Sequence, residues 1–218
     1  MKRAAGLCVA IPVASVRICL EGVGKRYRKQ WVFRELTQEF DGPGRYAILG
    51  RNGAGKSTLL RLLGGLQSAS EGKVTFEHHQ KNIAANDIYR HVSLCAPGLE
   101  LVEELTLRET LEFHFAFKSP LAGLTVPSII ELAGLQNAAC KPLADFSSGM
   151  KQRVKLAQAL FSDTAIVLLD EPCTNLDDAG VEQYNEWVSR FGNDRLVIVA
   201  SNDEREYRFC EHRLELSQ

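Results

Sequence analysis

Four features are missing from this chain of 218 residues, and each absence removes a class of protein. Charge of one sign is not in excess: 26 Lys and Arg stand against 27 Asp and Glu, a net charge of −1, so nothing points to a nucleic-acid partner. The six cysteines (Cys8, Cys19, Cys95, Cys140, Cys173 and Cys210) are dispersed, with no Cys-x-x-Cys pair and no histidine at zinc-ligand spacing. That pattern excludes a structural zinc site and fits a reducing compartment. The longest apolar stretch, residues 4–14, is interrupted by Pro12 and falls short of the ~20 residues that a membrane-spanning helix needs. Finally, there is no internal repeat, no low-complexity segment and no charge block, and nothing reads as a linker between independent domains.

What remains is a globular composition, 45% hydrophobic and 24% charged, long enough to bury a core as one domain over residues 1–218. Lys2 and Arg3 precede the apolar stretch, and small residues follow at Ala14 and Ser15. Residues 1–14 are therefore either a dispensable leader or a signal peptide.

Short apolar runs alternate with helical patterns, the signature of an α/β domain around a mostly parallel sheet. Residues 46–49, 165–169 and 196–200 are unbroken apolar runs and predict strands buried on both faces. Residues 57–66, 150–161 and 181–191 carry apolar side chains at helical spacing and predict the covering helices. Near the start, 16–20, 31–33 and 73–76 predict an antiparallel β-subdomain, punctuated by Gly22, Gly24, Gly42 and Gly44. A helical insert is expected over about 98–148. Thr106 with Glu109 makes a capping-box pattern there, and Leu107, Leu111 and Phe115 share a helix face, although Phe113, Phe115 and Phe117 also alternate as a strand would.

The chemistry begins at Gly50-Arg51-Asn52-Gly53-Ala54-Gly55-Lys56-Ser57, followed by Thr58, which fits the phosphate-loop pattern G-x-x-x-x-G-K-[ST]. Wrapping a polyphosphate takes converging backbone N–H groups, and glycine reaches the necessary conformations at low cost. Leu49 ends an apolar strand and Ser57 opens a helix, so the positive end of the helix dipole meets the phosphates. Lys56 offers a point charge to the β- and γ-phosphates, and the Ser57 hydroxyl a ligand to Mg²⁺. A second apolar strand ends in Asp170 and Glu171, where an open α/β sheet binds its ligands. Asp170 would hold Mg²⁺ through water and Glu171 would polarise the attacking water. Chemistry of this kind belongs where ATP is abundant, which favours the leader reading of residues 1–14.

With these motifs in place the chain resembles the ATP-binding cassette family of ATPases over nearly its whole length. Phe146-Ser147-Ser148-Gly149-Met150-Lys151-Gln152-Arg153 is similar to the family's signature segment in its export-type form, and it ends 17 residues ahead of Asp170. The resemblance implies a P-loop α/β fold and a sandwich of two ATP molecules between two chains, with Ser147, Ser148 and Gly149 of one facing the phosphates on the other. Homodimer and heterodimer both fit. The segment Thr174-Asn175-Leu176-Asp177 looks like the dimer-contact loop, with Asp177 its polar group, or else a plain Asx turn. Tyr27, 29 residues before Lys56, stands where the family stacks an aromatic on adenine; the other reading is a half-buried strand aromatic.

Two departures from the family pattern bear on rate. Pro97 takes the place of a glutamine that touches Mg²⁺ and water, with Glu100 or Glu103 as substitutes within reach, and Asn202 takes the place of a histidine on the γ-phosphate. Exchanging a charge-assisted contact for a neutral or missing one is worth about 1.5–3 kcal/mol, or roughly 10- to 150-fold. The expectation is a slow ATPase in which Asn202 donates a single neutral hydrogen bond. The alternatives are a regulatory cassette with little turnover and a soluble cassette that serves no permease. A detached cassette of this kind implies a separate integral membrane permease and a peripheral place on the cytoplasmic face of the cell membrane. The partner helix would be received by the Phe-rich stretch 106–118 and the loop at Pro97.

Overall fold

The computed structural model describes residues 16–216; the leader expected over 1–14 lies outside them. The chain opens with β1 (Val16–Tyr27), β2 (Gln30–Gly42) and β3 (Gly44–Leu49), then α1 (Lys56–Leu63), β4 (Glu71–His78), β5 (Lys81–Asn82), α2 (Ile88–His91) and β6 (Val92–Cys95). The insert follows with α3 (Leu107–Phe117) and α4 (Val126–Leu132). It leads to α5 (Ser148–Leu160), β7 (Ile166–Asp170), α6 (Asp178–Phe191), β8 (Leu196–Ala200), α7 (Glu204–Tyr207) and β9 (His212–Glu215).

Two sheets result: an antiparallel one ordered β2-β1-β4-β5 and a parallel one ordered β6-β7-β8-β3-β9. The unbroken apolar runs explain the parallel sheet's position, because every residue of β7 and β8 is buried. Ile166, Leu168, Leu196, Ile198 and Ile48 face one core, shared with α1 and with Ile18, Leu20, Phe40 and Phe76 of the antiparallel sheet. Val167, Leu169, Val197, Val199 and Ala47 face the other, beneath α3, α4, α5 and α6. A parallel sheet covered on both faces needs this composition, since neither face meets water.

Boundaries moved where competing signals were present. Helix α1 stops at Leu63, not residue 66, because Gly64 closes it and Gly65 turns left-handed at φ 69°. Strand β2 runs on to Gly42 through exposed charged positions that hide its alternation. The Phe113, Phe115 and Phe117 alternation resolves as helix: the Thr106–Glu109 capping box closes both ways and nucleates α3. The five described cysteines are free thiols, and burial pushes Cys95 and Cys210 up to about 12, so both stay protonated.

His114 of α3 is tucked against α5. The Ser162 hydroxyl donates to Gln158 O at 2.6 Å, so at 2.9 Å it accepts from His114 Nε2, which therefore carries the hydrogen. Burial, with the Lys118 charge adding to it, lowers the imidazole from 6.5 to about 4. The unfolded chain protonates this histidine first as pH falls. Its stabilisation is thus full above pH 6.5 and is lost between 6.5 and 4. Discounted for partial exposure the effect is about 2 kcal/mol. Urea midpoints measured at pH 7.5 and 5 should fall further for the wild type than for His114→Gln.

Candidate nucleotide site

The carboxyl ends of β3, β7 and β8 are level: Ile48 pairs with Ala200 and Ala200 with Asp170. Three turns therefore leave the sheet side by side, carrying the phosphate loop, the Asp170-Glu171 pair and Ser201-Asn202. The first is built by glycines. Gly50, Gly53 and Gly55 have φ of 144°, 86° and 99°, and a Cβ on Gly55 would stand 2.4 Å from Val32 Cγ1. Gly55 is the cap of α1, no side chain satisfies the helix's first N–H groups, and no acidic residue stands in its first turn. Those donors are presented to an anion. Lys56 is buried, with Nζ donating to Gly50 O at 2.7 Å across the loop. Ala54 is buried beneath it, Thr58 half-buried, and Ser57 exposed. Asn52, exposed on the loop, accepts from Asn202 Nδ2 at 2.9 Å, which joins the third turn to the first.

Asp170 is buried. Burial pushes its carboxyl above the ordinary carboxylate value and Glu171 adds to that, while a hydrogen bond from Ser57 and the charges of Arg61 and Lys56 oppose it. A serine hydroxyl beside a carboxylate is a hard-oxygen pair suited to Mg²⁺. Glu171 is exposed at φ 44°, its N–H held by Ala200 O at 2.9 Å. The two adjacent carboxylates therefore stand in different surroundings, Asp170 buried at the strand end and Glu171 exposed in the turn.

The Ser147-Ser148-Gly149 segment lies elsewhere. Ser147 caps α5, its Oγ accepting from Met150 N at 3.2 Å. The helix start opens into a hollow of about 590 Å³ lined by Ser147, Ser148, Gly149, Arg153, Asn175 and Asp177 among others, and no lining residue belongs to the phosphate loop. A Cβ on Gly149 would stand 2.9 Å from Asn175 O, so glycine lets the two loops touch. Asp177 caps α6, accepting from Gly180 N at 2.9 Å, and Arg153 approaches it at 3.6 Å. One chain therefore does not bring its own Ser147 to its own Lys56.

Tyr27 is exposed, its hydroxyl donates to Gln67 Oε1 at 2.7 Å and Lys25 Nζ stands over the ring, 5.3 Å from its centroid; Gln67 was not foreseen. One expectation needs correction. Glu103 is not free to replace the missing glutamine, because Lys151 binds its carboxylate at 2.5 Å. Asn202 engages one of its two amide N–H donors with Asn52, which leaves one for a phosphate. At Pro97 the backbone carbonyl takes the contact, accepting from Lys155 Nζ at 3.4 Å. Sequence reasoning also missed Gln152, whose amide donates to Pro172 O at 2.6 Å from inside the segment already singled out.

Fold and site together define a P-loop nucleotide-binding protein, with a second helix start, that of α5, opening on a separate hollow. Residues 34–174 match the profile of the ABC transporter family, and the chain belongs to that family. ATP binding goes with the membership. The chain is similar to the Nod factor export ATP-binding protein I of Rhizobium johnstonii, 34% identical over 168 residues covering 76% of this chain and 54% of that protein. It thus spans about half the length of these relatives. The lantibiotic transport ATP-binding protein SrtF of Streptococcus pyogenes is 29% identical over 84% of this chain and 78% of its own. Among solved structures, a dimeric post-hydrolysis state of the ATP-binding cassette MJ0796 bound to ADP and Pi superposes with a TM-score of 0.80 at 22% identity. That match covers 92% of this chain and 94% of the other and shows the shared fold.

Proposed function

We propose that the chain is the ATP-binding and ATP-hydrolysing subunit of an ABC transporter, driving a separate membrane permease through ATP-dependent closure of a dimer. The observation that carries this reading is the pair of helix starts, α1 and α5, that open on separate sets of residues of one chain. A second cassette, identical or not, supplies the missing half of each site.

Gly50, Asn52, Gly53, Ala54, Gly55, Lys56, Ser57 and Thr58 wrap the phosphates, and Tyr27 offers its exposed ring to adenine. Ser57 and Asp170 would hold Mg²⁺, which would supply charge neutralisation to the phosphates. Glu171 takes the proton from the attacking water, and Asn202 orients the γ-phosphate from the neighbouring turn. Across the interface the partner's Ser147, Ser148, Gly149 and Asp177 equivalents close over the phosphates. Membrane placement is peripheral on the cytoplasmic face; no described helix is long and apolar enough to cross a membrane. Export is the favoured direction, given the form of the signature segment and the names of the relatives.

The permease is received by two adjoining hollows of about 260 and 210 Å³ that share His114, Lys118 and Gln158. Exposed apolar side chains surround them: Leu66, Tyr89, Leu99, Val102, Phe113 and Phe117. Phe117 is 77% exposed and stands edge-on to Phe113 at 5.1 Å. Burying one phenylalanine contributes about 1.5–3 kcal/mol, so Phe117→Ala should weaken complex formation roughly 10-fold or more without changing ATP affinity. Co-purification from solubilised membrane tests the whole reading. A stoichiometric polytopic partner supports it, and a cassette recovered alone opposes it.

A regulatory cassette with little turnover is favoured by two observations, the side chain missing at Pro97 and the one Asn202 donor engaged by Asn52. Asn202→His should raise kcat about 10-fold if turnover is limited at this contact. An unchanged steady-state rate would place the limit elsewhere.

A further inference from the structure

A buried carboxylate that takes no part in the proposed chemistry sits beneath both catalytic turns. Glu206, on the short α7, is 5% exposed, and no cation forms an ion pair with it among the described residues. Its Oε1 accepts from Cys173 N at 2.7 Å, two residues beyond Glu171. The N–H of Glu206 itself donates to Asp203 O at 3.0 Å, one residue past Asn202, and the nearby Ser201 hydroxyl favours the charged form of the carboxylate. The Ser201 hydroxyl donates to Asp203 O at 3.4 Å and accepts from Asp203 N at 2.9 Å, which closes the turn. The backbone of α7 is pinned in turn, since Tyr184 Oη donates to Glu206 O at 2.9 Å and Asn185 Nδ2 to Arg205 O at 3.2 Å.

The segment Glu206 grips is strained. Glu171 holds φ 44°, a region that non-glycine residues keep only when their surroundings impose it. Its surroundings impose it here: Ala200 O accepts from the Glu171 N–H, Thr174 donates to Glu171 O, Gln152 donates to Pro172 O, and Glu206 accepts from the Cys173 N–H. Ala200 leads into the turn that carries Asn202, and Glu206 is the side chain that reaches back from the helix following that turn.

We propose that Glu206 is a positioning residue that ties the Glu171 turn to the Ser201-Asn202 turn, so that the water-activating carboxylate and the γ-phosphate contact are aligned as one unit. The inference rests on the ATPase reading above. A side chain acting in this way affects the chemical step and not the hold on ATP, because none of its contacts reaches the phosphate loop.

The test compares Glu206→Ala, Glu206→Gln and Ser201→Ala by steady-state kcat, ATP titration and hydrogen exchange at the Cys173 amide. Glutamine keeps an acceptor for Cys173 N and can donate to Ser201 Oγ. The expected result is a loss of about 10-fold or more in kcat for Glu206→Ala with ATP affinity unchanged, recovery to within about 3-fold in Glu206→Gln, and a smaller loss for Ser201→Ala that does not add to the first. Exchange at Cys173 should quicken in Glu206→Ala and stay slow in Glu206→Gln. Wild-type kcat in Glu206→Ala, a parallel fall in kcat and affinity, or a glutamine no better than alanine overturns the proposal. Should Glu206→Ala not fold, Glu206→Gln and Ser201→Ala decide it by the same split. Should the wild type turn over no faster than Glu171→Gln, the ATPase reading has failed; unchanged Cys173 exchange then overturns the tie between the turns independently.

Discussion

Glu171→Gln should bind ATP as tightly as the wild type and release phosphate about 10²- to 10⁴-fold more slowly. The separation follows from where Glu171 stands. It is exposed beyond the end of β7, and no phosphate-loop group depends on it. The loop's own donors, the uncapped N–H groups of α1 and the Lys56 ammonium, remain in place. Glutamine preserves shape and still offers an oxygen, but it cannot accept the proton of an attacking water at neutral pH. Phosphate release in steady state and nucleotide titration measure the two quantities separately. Equal rates for wild type and variant would discard the enzyme and leave a binding cassette.

Lys56→Ala should fail one step earlier, at binding. In this structure the ammonium donates to Gly50 O at 2.7 Å and holds the loop's two ends together. Removing it takes away the loop's one cationic side chain aimed inward and a contact that pre-forms the cradle. Two charge-assisted hydrogen bonds to phosphate are worth about 3 kcal/mol or more, so ATP affinity should fall roughly 10²-fold or further. Calorimetric titration with ATP measures it. An affinity within a factor of three of the wild type would mean that backbone N–H groups alone carry the phosphates.

The sequence was most legible where one physical demand acts alone. Unbroken apolar runs mark β7 and β8 because a strand covered on both faces tolerates nothing else. The phosphate loop was equally plain, since glycines at fixed spacing before a lysine answer a need of the backbone. Legibility fell where demands compete. Strand β2 carries Arg34, Glu35, Thr37 and Glu39 on its exposed positions, and the alternation is lost among them. The phenylalanines of α3 satisfy two periods at once, and a capping box decided between them. At the site, contacts between side chains far apart in sequence left no trace: Asn52 with Asn202, Tyr27 with Gln67, and Glu206 with Cys173. Each is created by the level ends of neighbouring strands or by a turn folding back, and no local pattern encodes it. The Glu103 expectation went wrong for the same reason, because Lys151 lies 48 positions away.

The central claim is that the hollow at Ser147 and the loop at Lys56 work only when supplied by different chains. Light scattering of Glu171→Gln, with and without Mg-ATP and with any membrane subunit supplied, tests it most directly. Doubling of the mass on adding nucleotide, abolished by Lys56→Ala, is the predicted result. A nucleotide-saturated protein that keeps the mass of one cassette under both conditions would contradict it.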